Sequence, residues 1–192
     1  MTPKIVVDAT SEPITLAEAR LQCKVDQTDD DDLIEALITA ARQHCENFLG
    51  MTLTPKTLEI ALNEWPDDGI VELPMGPVSS IVSVTVGTGS DALLDPADYV
   101  LDDFSVPNRL VPETDWTAVT SSTNAIRIIY TAGFDGPTSS DGPTLPKTIV
   151  QAMKLLVADW YKHREDTDAG DVKIPNGVES LLRPHRIRLG MA

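Results

Sequence analysis

The hydrophobic period of this sequence changes once near residue 55 and changes back near residue 145, and any fold must accommodate both switches. Between Asp31 and Gly50, the residues Leu33, Ile34, Leu37, Ile38, Ala41, Cys45, Phe48 and Leu49 recur at i, i+3, i+4 spacing, which places them on one face of an α-helix. Asp30, Asp31 and Asp32 stand in its first turn, where carboxylates meet the positive end of the helix dipole. Gly50 stands where a left-handed C-cap is expected. A shorter helix precedes it: Thr15 and Glu18 have capping-box spacing, Leu16, Ala19 and Cys23 share a face, and the helix is expected to end near Val25. From Pro55 the period falls to two. Leu58, Ile60 and Leu62 alternate with Thr57, Glu59 and Ala61 as in a half-buried strand. Further strands are expected at 70–73, 80–86, 99–101, 109–111 and 125–131, separated by Gly, Pro, Asp and Ser turn clusters. The helical period returns after Pro146, with Ile149, Val150, Met153, Leu156, Val157 and Trp160 on one face. That face is expected to pack on the second helix.

Helices on both sides of a β-rich block imply an α+β fold. It is expected to have a helical core, made of the N-terminal helix pair and the long C-terminal helix, with an inserted small antiparallel β-sheet and an extended C-terminal arm. Residues 1–54 and 144–166 are assigned to the helical core, 55–133 to the β-rich insertion, and 167–192 to a linker and arm. The segment 134–144 is rich in Gly, Pro, Ser and Asp and reads as an exposed loop, and 165–172 as a mobile link. At 192 residues with 42% hydrophobic and 23% charged residues, the chain suits one globular domain carrying an insertion.

No apolar run reaches membrane-spanning length. Met1 to Asp8 carries neither the basic n-region nor the apolar h-region of a secretory signal, so folding in a cytoplasm is expected. Fifteen Lys and Arg against 30 Asp and Glu give a net charge of −15, which argues against a broad basic nucleic-acid-binding face. An acidic surface is compatible with DNA sliding past, because only basic groups displace counterions and hold phosphates.

The residues that could carry chemistry are sparse. Cys23 and Cys45 lack metal-ligand spacing and are expected to be reduced thiols near the core. The run Asp29 to Asp32 lacks the spaced ligands, bend glycine and closing glutamate of an EF-hand and reads as a solvated helix start. Gly87-Thr88-Gly89 lacks the remaining elements of a phosphate-binding loop and reads as a hairpin turn. His44, His163 and His185 fall in no ligand motif, and no serine sits in a nucleophile elbow. No catalytic, cofactor or metal residue is assigned.

The C-terminal end differs from the rest. Arg183, Arg186 and Arg188, with His185, gather positive charge beside Leu181, Leu182 and Leu189. A solvated terminus is one reading. A docking arm is another, in which leucines supply burial while arginines pair with carboxylates of a partner or of a neighbouring copy. DNA binding by three arginines against so acidic a chain is a weaker third.

Three stretches resemble the head-tail connector (adaptor, or head completion) family of tailed phages and prophages, in its longer subgroup with a β-rich insert. The first is Ile14-Thr15-Leu16-Ala17-Glu18-Ala19-Arg20, continuing through Asp31-Asp32-Leu33-Ile34 to Ala40-Ala41-Arg42, Glu46 and Gly50. The second is Tyr130-Thr131-Ala132-Gly133-Phe134, then Leu145-Pro146 with Ile149, Ala152, Leu155, Leu156, Trp160-Tyr161 and Arg164-Glu165. The third is Ile174-Pro175 with Gly177-Val178, Leu181-Leu182, Pro184 and Arg186. The loop 135–144 is longer than the family pattern, His185 replaces an aromatic residue, and 64–123 matches least. The resemblance implies a non-enzymatic virion protein of the neck, assembled in a host bacterial cytoplasm. It implies a homo-oligomeric ring, commonly of twelve copies, docked below the portal protein, with stopper or tail-completion proteins attached beneath and the genome passing through the lumen during ejection. Leu181, Leu182, Arg183, Arg186 and Arg188 are the expected docking residues, and removal of 174–192 is expected to leave the core folded. A stopper or tail-completion role in the same neck, or a small cytoplasmic enzyme or binding module, are the competing readings.

Overall fold

The computed structural model describes residues 2–87, 92–119, 122–134, 144–163 and 176–187. Four helices, α1 (Leu16–Cys23), α2 (Asp31–Leu49), α3 (Lys147–Lys162) and α4 (Asn176–Leu182), pack together. Among the described residues, eight strands form two antiparallel sheets. The larger has the order β1-β2-β8-β4-β5, from β1 (Lys4–Val7), β2 (Lys56–Leu62), β8 (Ile126–Ala132), β4 (Val78–Val86) and β5 (Ala92–Leu93). The smaller has the order β3-β7-β6, from β3 (Val71–Leu73), β7 (Asn108–Pro112) and β6 (Tyr99–Asp102). The α+β architecture therefore stands, with the β-rich block divided into two sheets. One of their strands, β1, comes from the N-terminal segment.

Local chemistry explains the helix limits. The Thr15 hydroxyl accepts from Glu18 N–H at 3.2 Å, and Thr15 N–H donates to the Glu18 carboxylate at 3.0 Å, completing the capping box. The same carboxylate receives Lys154 of α3 at 2.7 Å, which, with the Thr15 contacts, holds the Glu18 pKa below its ordinary value. Lys24 closes α1 in the left-handed region at φ 58°, and Gly50 closes α2 at φ 69°. Glycine enters that region without a Cβ penalty.

Burial separates into two clusters. The helical one joins Ile34, Ile38, Ala41, Cys45 and Leu49 of α2 to Ile149, Met153, Leu156 and Val157 of α3. Leu33, expected on the same face, is instead exposed; one residue ahead of Ile34, it is rotated about 100° from it. The sheet cluster joins Leu58, Ile60, Val84, Ile126, Ile128 and Tyr130 to Leu73 and Leu110 of the smaller sheet. Tyr130 is fully buried and its hydroxyl donates to Pro74 C=O at 2.7 Å, so its polar tip is satisfied. The seven-residue pairing of β2 with β8, from Lys56↔Ala132 to Leu62↔Ile126, is the spine of the larger sheet.

Cys45 is buried and Cys23 half-buried, both as free thiols. Burial, reinforced by the adjacent Glu46 charge, pushes the Cys45 thiol up to about 12. Reaction with a thiol reagent at pH 8 is expected to modify one of the two thiols in the native chain and both after denaturation. Mass spectrometry of the labelled peptides checks this, and rapid native labelling of Cys45 would refute the packing. The linkers at 135–143 and 164–175, and Thr88 and Gly89 of the expected hairpin turn, lie outside the described residues. The strands flanking that turn, β4 and β5, do pair antiparallel.

Candidate functional site

Of the expected docking residues, Leu181, Leu182, Arg183 and Arg186 occupy α4 and the turn that follows it. Val178 and Leu182 are buried in the helical cluster, Leu182 at 1% exposure, and Leu181 packs against it. Two of the candidate docking side chains thus serve the chain's own core, because α4 lies on α3 and α2. Described residues 176–187 are therefore folded onto the body rather than extended. The chain then crosses the end of α2, where Ile187 N–H donates to Leu49 C=O at 2.8 Å, satisfying a carbonyl left free by the helix terminus. Removing 174–192 would uncover Val178 and Leu182 contacts, so point substitutions test docking more cleanly than truncation.

The basic side chains point outward. Arg183 is exposed and pairs with Glu179 one turn back at 2.7 Å. Arg186 is exposed and lies over the Phe48 ring, 5.3 Å from its centroid. Thr148 Oγ1 and His185 Nε2 are 2.8 Å apart, tying the turn to the start of α3. Arg188 lies outside the described residues.

Beside this turn the β-rich block contributes a surface that the sequence reading passed over. The segment between β6 and β7 presents Phe104 at 95% and Val106 at 72% exposure. Asp102 shapes it by accepting from the N–H groups of Phe104 and Ser105, both at 3.2 Å. A cavity of about 420 Å³ lies between this segment and the C-terminal turn, lined by Asp103, Val106 and Pro107 on one side and Pro184, His185 and Arg186 on the other. The available signal was an aromatic residue stranded in a polar turn, Asp102-Asp103-Phe104-Ser105, where neither periodicity predicts burial.

Helices and sheets meet at an ionic cluster. Glu46 on α2 accepts from Lys56 Nζ at 2.7 Å, Arg42 Nη1 at 3.2 Å and Leu53 N–H at 3.0 Å. Arg42 reaches Glu12 at 2.8 Å, and Lys56 reaches Asp8 at 3.4 Å. Arg42, Glu46 and Lys56 are nearly inaccessible. Burial works against the Arg42 guanidinium, but the Glu12 and Glu46 carboxylates outweigh it and hold its pKa above the ordinary arginine value. The hydrogen bond from Ala9 N–H, with help from Lys56, holds Asp8 below the ordinary carboxylate value. Arg42 and Glu46 belong to the resemblance quoted above, and their burial gives that pattern a physical role. Among the described residues, no group of three His, Cys, Asp or Glu side chains could hold a metal ion. No helix among them is long and apolar enough to cross a membrane.

The arrangement offers an exposed basic turn, an exposed apolar segment and a buried ionic cluster. Residues 13–88 match the phage gp6-like head-tail connector family. The resemblance to head-tail connectors is thereby upheld. The match spans α1, α2 and the Arg42, Glu46 and Lys56 members of the ionic cluster, and reaches through β4. No curated protein sequence matches the chain. Among solved structures, the chain is similar over 100% of its length, and 99% of the other chain, to one from the neck of an empty gene transfer agent (GTA) particle computed with C6 symmetry. The TM-score is 0.81 at 22% identity. A chain from the virion of the native gene transfer agent particle gives the same values. One from the neck of the native GTA particle computed with C12 symmetry gives TM-score 0.75 at 24% identity with the same coverage. At these identities the likeness establishes the fold alone.

Proposed function

We propose that this chain is a structural protein of a phage-like virion neck, acting as a head-tail connector whose copies form a ring between capsid and tail. The observation that carries this reading is end-to-end likeness to chains of particle necks, joined to a connector-family match over α1 and α2. Ring assembly requires heterologous contacts, in which one patch meets a different patch on the next copy. An acidic body with outward arginines at its C-terminal turn supplies unlike patches. In this reading the ring has twelve copies, sits below the portal protein, holds stopper or tail-completion proteins beneath, and leaves a channel for the genome. The helical unit of 1–54 and 144–166 forms the subunit body, the insertion 55–133 makes lateral or outward contacts, and 167–192 faces the portal.

Arg183, Arg186 and Arg188, flanked by Leu181 and Leu182, are the proposed docking set, with the leucines now assigned to supporting the turn from within. Replacing Arg183 and Arg186 together by glutamate is expected to weaken attachment to portal-bearing capsids at least ~10-fold, since like-charge juxtaposition costs several kcal/mol. Thermal unfolding should hardly change, because both side chains are exposed. Co-sedimentation with capsids, alongside negative-stain imaging of the purified protein, checks this. Undiminished attachment by the double variant would remove the arginines from the interface. A chain that stays monomeric and ignores portal would overturn the connector reading itself.

A further inference from the structure

The two ends of the larger sheet are unlike each other in a way that suits pairing between copies. β1 is an edge strand whose four residues are all exposed, and three of them are β-branched and apolar: Ile5 at 51%, Val6 at 46% and Val7 at 53%. A bare apolar edge of this kind is a template for another strand. At the opposite end, β5 pairs with β4 only at Thr85 and Val86. The N–H of Val78, at the far end of β4, is taken by the Asn108 side chain at 2.8 Å. Residues 79–83 of β4 are left without a strand partner on their outer side among the described residues, with Ser79, Ser80 and Val82 exposed.

We propose that β1 of one copy pairs antiparallel with residues 79–83 of β4 in the next copy, so that the larger sheet continues from subunit to subunit around the ring. This rests on the ring reading given above. Direction supports it. All neighbours in the sheet are antiparallel, so β1 runs with β8 and β5 and against β2 and β4. A ring axis lying along the strands preserves those directions, and an incoming β1 then meets β4 antiparallel. Length supports it too, since four residues of β1 face five uncovered residues of β4. So does the character of the faces. Ile5 lies opposite Leu58, and Ile81 opposite Tyr130, so both belong to the inner face of the sheet and meet as an apolar pair. Lys4 is the sole charge on the two segments, so little charge is desolvated. The irregularities at Ile5/Val7 in β1, and at Val78/Ser80 and Ile81/Ser83 in β4, bend their strands. That curvature favours a closed ring over the straight fibre that flat edges would build.

The test is a cysteine pair, Ile5→Cys with Ile81→Cys, in a chain also carrying Cys23→Ser to remove the half-buried native thiol. Assembled rings treated with a short bismaleimide should give a ladder of covalent oligomers on a denaturing gel, while each single cysteine should give none. In parallel, Ile5→Lys with Val7→Lys should abolish ring formation in negative stain while leaving thermal unfolding near wild type. Wild-type rings in which the cysteine pair gives no ladder overturn the edge pairing and leave the ring reading standing. A wild-type chain that never assembles, alone or with portal-bearing capsids, overturns the ring reading and the pairing together.

Discussion

Glu46→Ala is expected to destabilise the chain by about 3–5 kcal/mol, the cost of leaving a buried ion pair with one partner missing. The alanine would take the buried carboxylate from two cations, Lys56 and Arg42, both almost entirely buried. It would also remove the acceptor for Leu53 N–H. For a chain of this length the loss corresponds to a fall in Tm on the order of 10 °C. Arg42 keeps Glu12, and Lys56 keeps the more exposed Asp8, so neither cation is wholly unpaired. Glu46→Gln keeps an acceptor for Leu53 and should lose less. Replacing Arg42, Glu46 and Lys56 together by apolar residues of similar volume should recover much of the loss, because the desolvation of all three charges disappears with their attraction. Urea unfolding of the three variants checks the order; an alanine variant within about 1 kcal/mol of wild type would show that the cluster is not a buried lock.

Gly133→Ala is expected to be similarly severe for a different reason. Gly133 follows β8 at φ 129°, and a Cβ there would collide with the carbonyl group of Thr54. The obstructing atoms are backbone, so no side chain can swing aside. The collision comes on top of a conformational cost of about 1–3 kcal/mol for a residue forced into a region suited to glycine. Gly177, on α4, is the internal control, because a Cβ there meets nothing within 4 Å. Gly177→Ala should be neutral or slightly stabilising. Calorimetry of the pair checks the contrast, and equal Tm values for the two variants would refute the close approach of Gly133 to Thr54.

Most elements were legible because burial leaves a periodic trace. The α2 face, the Thr15–Glu18 box, Gly50 and the strands around Leu58, Val84 and Ile128 all follow from spacing and caps. What escaped was partnership. β1 has no alternation to reveal it, since all four of its residues are exposed. β5 is two residues long, too short for any period. Arg42 and Glu46 interrupt an apolar helix face, and each is buried because the other, with Lys56 and Glu12, neutralises it, a pairing that no spacing reveals. Likewise Leu182 seemed free to reach a partner only while the folding of α4 onto α3 was unknown. The basic character of the C-terminal turn was readable from composition; its neighbour Val106, some 80 positions earlier, was not, because only the fold brings them to one cavity.

The same carboxylate that anchors the fold limits how it can be rebuilt. Glu46 sits on α2, Lys56 opens β2, and Lys56 also touches Asp8 just after β1. A designer who transplants the strands onto another helical body cannot treat them as a cassette cut at residue 55. The graft must carry its lysine into a host that offers a buried acid at the matching helical turn, together with an N-terminal strand to complete the sheet's edge.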